Sequence, residues 1–331
     1  MDVFFSWRKT RASDLPECLK LHPAKNGAEI VGPRRALQAW KRIFEIAHAS
    51  RSALVELHGK SKVEIVGFGL AAFVKKRFAE AELLHPAPGL NSRIIESVVG
   101  EKSVIASYEE VRDANSRGDL QQVILDTSWN SGMLDAAQVD EVRILLGQAY
   151  QELFAGYNFS RILWECVDEL DLWHIHGHRS FRIVDRFEAY RLANPEATWN
   201  ADRALAVVTV EGMREDPHSI AAGLFHYRHQ PQLAFTRNEQ ELLEAALEGL
   251  DDASASKSLF VTVPAIKRRW ANIFERVAAV LPDLCPPADG ARGIQKRQRV
   301  LTYVRNHPQE LRPFNFGNRH KKSKRTAARI P

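Results

Sequence analysis

Three histidines stand within five residues in the segment Asp171-Leu172-Trp173-His174-Ile175-His176-Gly177-His178, beside carboxylates that could complete a metal site. Their i, i+2, i+4 spacing shares one side only if the segment is extended, and on a helix it spreads around about half the circumference. They read as solvated side chains at a turn, and no metal is expected. The carboxylate pairs Glu109-Glu110 and Asp168-Glu169 have no neighbour that would make them an acid and a base, so a solvated face is their reading. No Gly-x-Ser-x-Gly, His-Glu-x-x-His, Walker loop or dinucleotide fingerprint occurs. Cys18, Cys166 and Cys285 are too far apart for a zinc site or a disulfide framework and read as buried small hydrophobes. The usable spacing is at Lys267-Arg268-Arg269, where cations just inside a helix could meet phosphates or guanine edges.

The elements that must carry those cations are helical. Leu242, Leu243, Ala246 and Leu247 form one apolar stripe ended by Gly249, and a short helix follows from about Asp252 to Leu259. Thr262 then caps a third helix, with Pro264 just inside it. Ile266, Trp270, Ile273, Phe274 and Val277 make its apolar face. Ala265, Arg268, Arg269, Asn272 and Arg276 fall opposite, with Lys267 at the edge. A further helix is expected over 292–306, exposing Gln295, Lys296, Arg297 and Arg299, burying Val300, Leu301 and Val304, and closed by Pro308. From Asn315 to Pro331 there are six Lys+Arg, no acid and no apolar period, which predicts a disordered tail making non-specific phosphate contacts. The charge follows this layout: the chain carries +5 overall, but residues 235–331 carry +8 and residues 1–234 carry −3. A polyanion, nucleic acid before membrane, is the partner this asymmetry implies.

The C-terminal pattern resembles the LuxR-type helix-turn-helix family. The family's opening Leu-Thr falls on Phe235-Thr236, its acidic residue on Glu239, its Val/Leu-Leu pair on Leu242-Leu243 and its glycine on Gly249. Its Leu-x-Val/Ile-Ser-x-x-x-Val-Lys falls on Leu259, Val261, Thr262, Ile266 and Lys267. The usual Glu-Ile-Ala of the second helix is Ser254-Ala255-Ser256, a weaker helix former. The resemblance implies double-stranded DNA as partner, with RNA polymerase contact and a homodimer as further expectations. It implies contact positions at Thr262, Ala265, Lys267, Arg268, Arg269 and Ala271.

The N-terminal part alternates strand-like and helix-like stretches. Strands are expected over 3–10, 52–58, 63–74, 121–128, 161–167 and 181–190. Helices are expected over about 14–21, 33–47, 137–155 and 168–175, with weaker helical character at 91–99 and 108–115. This order, together with Arg8-Lys9-Thr10-Arg11-Ala12-Ser13-Asp14-Leu15-Pro16 and Ser180-Phe181-Arg182-Ile183-Val184, resembles the GNAT acyltransferase superfamily over residues 3–190. The resemblance implies a turn after the fourth strand that holds the pyrophosphate of acyl-CoA on bare backbone N–H groups. Here that turn is Ser128-Trp129-Asn130-Ser131-Gly132-Met133-Leu134, with one glycine, no arginine and acids following at Asp135, Asp140 and Glu141. No cofactor is therefore expected; acetyl-CoA on Asn130, Ser131 and Gly132 is the alternative.

The expectation is an α+β chain: a GNAT-like mixed sheet flanked by helices over 1–190, then a connector with short strands at 205–210 and 224–227 within 191–234. An all-α LuxR-type helix-turn-helix domain follows at 235–282, a helical extension at 283–314 and a basic tail at 315–331. The function expected is a DNA-binding transcriptional regulator whose GNAT-like domain senses or dimerises, and the alternative is an N-acyltransferase using acyl-CoA with an attached DNA-binding domain. No apolar run approaches the roughly 20 residues of a membrane span, so a cytoplasmic protein without membrane contact is expected.

Overall fold

The computed structural model describes residues 4–21, 31–46, 48–60, 62–167, 181–196, 203–216, 222–225, 229–285 and 293–317. The chain divides into two compact units, Met1–Arg228 and His229–Pro331.

The first unit is built on seven strands: β1 (Phe4–Lys9), β2 (Ser50–His58), β3 (Val63–Val74), β4 (Leu120–Trp129), β5 (Phe159–Cys166), β6 (Phe181–Asp185) and β7 (Ala204–Thr209). They form one mixed sheet in the order β1-β2-β3-β4-β5-β7-β6. Every neighbouring pair is antiparallel except β4 and β5, which run parallel. A parallel pair needs a crossover, and α6 (Ala136–Phe154) supplies it. The α+β character expected of this part, a mixed sheet flanked by helices, is what the strand order and the helices around it give.

Helices cover both faces. α1 (Leu15–Leu21), α2 (Pro33–Glu45) and α4 (Leu90–Val99) lay Leu15, Trp40, Ile43, Ile94 and Ile95 on one face, against Phe68, Leu70, Val123 and Leu163. α6 covers the other with Val142, Leu146, Leu153 and Phe154. Its approach to β3 is close: a Cβ at Gly67 would lie 2.6 Å from Val142 Cγ1, so only glycine fits there. Between β3 and β4 lie α3 (Lys76–Leu84), α4 and α5 (Tyr108–Arg117). The first of these carries a low apolar contrast and has no counterpart among the expected elements.

Several boundaries differ from the expectation. The strand expected over 181–190 stops at Asp185, because Phe187 takes a φ of +55° and its N–H is held by Asp185 Oδ1 at 2.6 Å; a helix, α7 (Glu188–Ala193), follows. The short strand expected at 205–210 in a connector is β7 (Ala204–Thr209), wedged between β5 and β6 in the sheet and followed by α8 (Val210–Glu215). The segment expected as a strand from Leu224 is helical over its described part, α9 (Ala222–Phe225). The expected helix at 168–175 and the histidines His174, His176 and His178 lie outside the described residues.

The second unit is wholly helical among the described residues: α10 (Arg237–Leu247), α11 (Asp252–Ser258), α12 (Val263–Val280), α13 (Gly293–Asn306) and a 3-10 turn, Pro308–Leu311. Its starts are set by side chains. Thr236 and Glu239 form a reciprocal capping box, Asp251 caps Ser254 N–H, and Thr262 Oγ1 accepts from Ala265 N–H. Leu242, Leu243, Ile266, Trp270, Ile273, Val277, Val300 and Val304 make its core.

Candidate functional site

In the first unit the chemistry gathers where β4 and β5 part. The two strands pair from Leu120 opposite Phe159 to Ile124 opposite Trp164, after which β4 runs on to Trp129 without β5. The same point carries a bulge: Ile124 pairs with Ala71 and Asp126 with Leu70, so Leu125 is the extra residue. Opposed residues share a face, which puts Asp126 and Ser128 with Leu70 and Phe68 on the side of α1, α2 and α4. Asp126 is 2% exposed and Ser128 is fully buried. Cys18 of α1 lies close enough to Asp126 to feel its charge; burial first, then that charge, pushes the thiol well above its usual range.

The first turn of α4 bridges the parted strands. Asn91 Nδ2 donates to the Leu125 carbonyl at 2.7 Å, on the β4 side. On the β5 side, Glu165 accepts from the Gly89 and Leu90 N–H groups at 2.7 and 2.6 Å, and Arg203 lies 3.4 Å from the same carboxylate. A buried carboxylate on a helix N-terminus beside a buried guanidinium satisfies charges that would otherwise be costly. Sequence reasoning missed Asp126, Ser128, Asn91, Glu165 and Arg203. Asp126, Ser128 and Glu165 are polar residues inside strands, which is the one signal the sequence offered; Asn91 on α4 and Arg203 before β7 carried none.

The turn after β4 brings Asn130, Ser131 and Gly132 together, as expected, but its amides are largely engaged. Asn130 N–H meets the Val66 carbonyl, Ser131 N–H that of Trp129 and Met133 N–H that of Asn130. Asp135 then caps α6 in a box with Gln138, placing a carboxylate on the helix N-terminus. Arg143 of α6 is bound to Asp140 at 2.9 Å and lies over the Trp129 ring. Among the described residues no group of histidines, cysteines and carboxylates is arranged to hold a metal.

In the second unit the predicted contact residues divide. Lys267, Arg268 and Ala271 are exposed on one face of α12, joined by Asn272. Thr262 is exposed with its hydroxyl on the Ala265 N–H, and Ala265 is half-buried. Arg269 departs from the expectation: it turns toward α10 and donates to the Asn238 carbonyl at 3.3 Å. Arg276, expected on the outer face, pairs with the buried Glu239 at 3.3 Å. Arg297, expected exposed on α13, sits 4.4 Å over the Trp270 ring and bonds Asp252 at 2.8 Å. These three cations, each partly exposed, bond within the unit, because each long side chain finds an acceptor or ring on a neighbouring helix.

No family model matches the chain, and no curated protein does. Solved structures do resemble it at low identity. One is FeeM, an N-acyl amino acid synthase from uncultured soil microbes, at 9% identity and a TM-score of 0.34 over 65% of this chain and 95% of that one. Another is a mosquito arylalkylamine N-acetyltransferase like 5b, at 10% identity and 0.38 over 62% of this chain and all of that one. A third is the aminoglycoside acetyltransferase AAC(6')-Ib in complex with coenzyme A, at 13% and 0.31 over 64% of this chain and 98% of that one. No described helix is long and apolar enough to cross a membrane.

Proposed function

We propose that the protein is an N-acyltransferase that takes an acyl-CoA donor where β4 and β5 part, with an attached helical unit that binds DNA. The observation that carries the first half is the parting itself. Beyond the bulge at Leu125, β4 keeps its extended backbone through Trp129 while β5 no longer pairs with it. A strand edge of this kind offers N–H and C=O groups to an extended ligand, and the amide-bearing arm of a CoA thioester can pair with it as a short strand would. In the transfer an amine attacks the thioester carbonyl, the C–N bond forms, the C–S bond breaks, and the sulfur leaves as a thiolate that takes up the proton lost by the amine. That proton passes by way of a base, for which Asp126, one residue past the bulge, is the candidate. Acetyl-CoA is thereby preferred to the absence of a cofactor inferred from the turn, though Asp135 weakens the grip on its phosphates. Calorimetry of the full chain with acetyl-CoA tests this. Saturable binding supports it; no binding of acetyl-CoA or of a long-chain acyl-CoA overturns it.

The second half is favoured by the face of α12. Lys267, Arg268, Ala271 and Asn272 are exposed together behind a capped start, and no acid occurs from Ala253 to Phe274. Small and basic residues on a short-turned helix suit a major groove. Duplex DNA is the partner in this reading, with a homodimer and contact with RNA polymerase as its further expectations. Gel shifts with genomic fragments test it, and the absence of any retained duplex at low salt would sink it.

A further inference from the structure

Two helices of the second unit end in the same backbone motif with different residues. At the end of α10, Leu250 N–H bonds the Ala245 carbonyl and Gly249 N–H that of Ala246, with Gly249 at a φ of +84°. At the end of α11, Val261 N–H bonds the Ser256 carbonyl and Phe260 N–H that of Lys257, with Phe260 at a φ of +53°. Both are Schellman ends, whose left-handed position glycine fills without strain. Phenylalanine there sets its Cβ against the neighbouring carbonyl. Packing does not hold it in place. Val261 is the residue that meets the core, while the Phe260 side chain is 95% exposed, the most exposed of the large hydrophobic side chains described.

The surroundings point to one occupant. Phe260 lies between Lys257 and the exposed pair Lys267 and Arg268, within the acid-free run from Ala253 to Phe274, directly before the capped start of α12. An exposed ring with cations before and after it in the sequence, directly preceding the start of a groove-binding helix, complements a duplex: it is apolar enough for a thymine methyl or a deoxyribose, and the cations of the same run match the phosphates. We propose that Phe260 is a DNA-contact residue, held in a strained turn so that its ring packs against the groove wall. The proposal rests on the DNA-binding reading of this unit.

Anisotropy titrations of the full chain, with a labelled duplex selected from a random-sequence pool by the unmodified chain, test it alongside amide exchange over α11 and α12. Phe260→Asn should slow exchange there, because asparagine tolerates the left-handed turn, and should weaken duplex binding about fivefold. Lys267→Ala should weaken binding with exchange unchanged. A Phe260→Asn chain that binds as tightly as the unmodified one overturns the proposal while leaving the DNA reading in place. Faster exchange in Phe260→Asn also overturns it, since the ring would then support the fold. If the unmodified chain selects no duplex, the DNA reading fails and this proposal with it. Replacing thymine by uracil in the duplex assigns the atom: a penalty that vanishes marks the methyl, and one that persists marks the sugar, both in support.

Discussion

The side chains of α12 separate recognition from support within a few residues. Arg268 and Lys267 are exposed, whereas Trp270 is buried beneath the Arg297 guanidinium. Arg268→Ala and Lys267→Ala should leave stability within about 0.5 kcal/mol and lower specific duplex affinity by about 1 to 3 kcal/mol each. Trp270→Ala should cost about 3 to 5 kcal/mol of stability and lose binding by unfolding the unit. Thermal melts and gel shifts on the three variants distinguish these outcomes. Equal binding by both cation variants would remove α12 from the DNA interface. Glu310 behaves differently, being fully buried with its carboxylate on the Gln232 and Leu233 N–H groups at 2.8 and 2.9 Å. Burial raises its pKa above the ordinary value of 4.5, more than those two bonds lower it. The folded state therefore keeps a proton that the unfolded chain gives up, and this contribution to stability falls as pH rises from about 4.5 through the folded value. Denaturant melts of the parent and Glu310→Gln across that range check the sign: the variant should lack this part of the parent's decline.

At the scale of elements, helix starts and strand ends decide what can bind. The capping box of Asp135 and Gln138 stabilises α6 but puts a negative charge where a phosphate would sit. Asp135→Ser keeps a capping oxygen and removes the charge. It should tighten acetyl-CoA binding severalfold by calorimetry while changing stability by less than about 1 kcal/mol. Unchanged affinity would mean that the donor's phosphates do not approach this turn. The cap at Thr262 was legible in the sequence, because caps are local hydrogen bonds over three residues, whereas Asp135 was read there only as an acid beside the helix start. The bulge at Leu125 was not, since it is defined by which residues of β3 face β4.

For the whole molecule, the positive charge concentrated in residues 235–331 predicts how salt acts on it. Deleting 315–331, of which residues 318–331 lie outside the described structure, removes six cations. Affinity for all duplexes should fall together and the slope of log affinity against log salt should become shallower. A deletion that alters which sequence is preferred would contradict a purely phosphate-directed tail. The sequence by itself determined the helices and strands whose apolar residues repeat at the proper period, the capped start of α12, the glycine end of α10 and the division of charge along the chain. Each of these depends on residues close together in the chain. Tertiary structure alone decided that β7 enters the sheet between β5 and β6, and that α4 bridges the parted strands through Asn91 and Glu165. It also decided that Arg269, Arg276 and Arg297 brace the helical unit. These depend on partners tens of residues away, and a long polar side chain reads the same in sequence whether it ends in water or on a buried carboxylate.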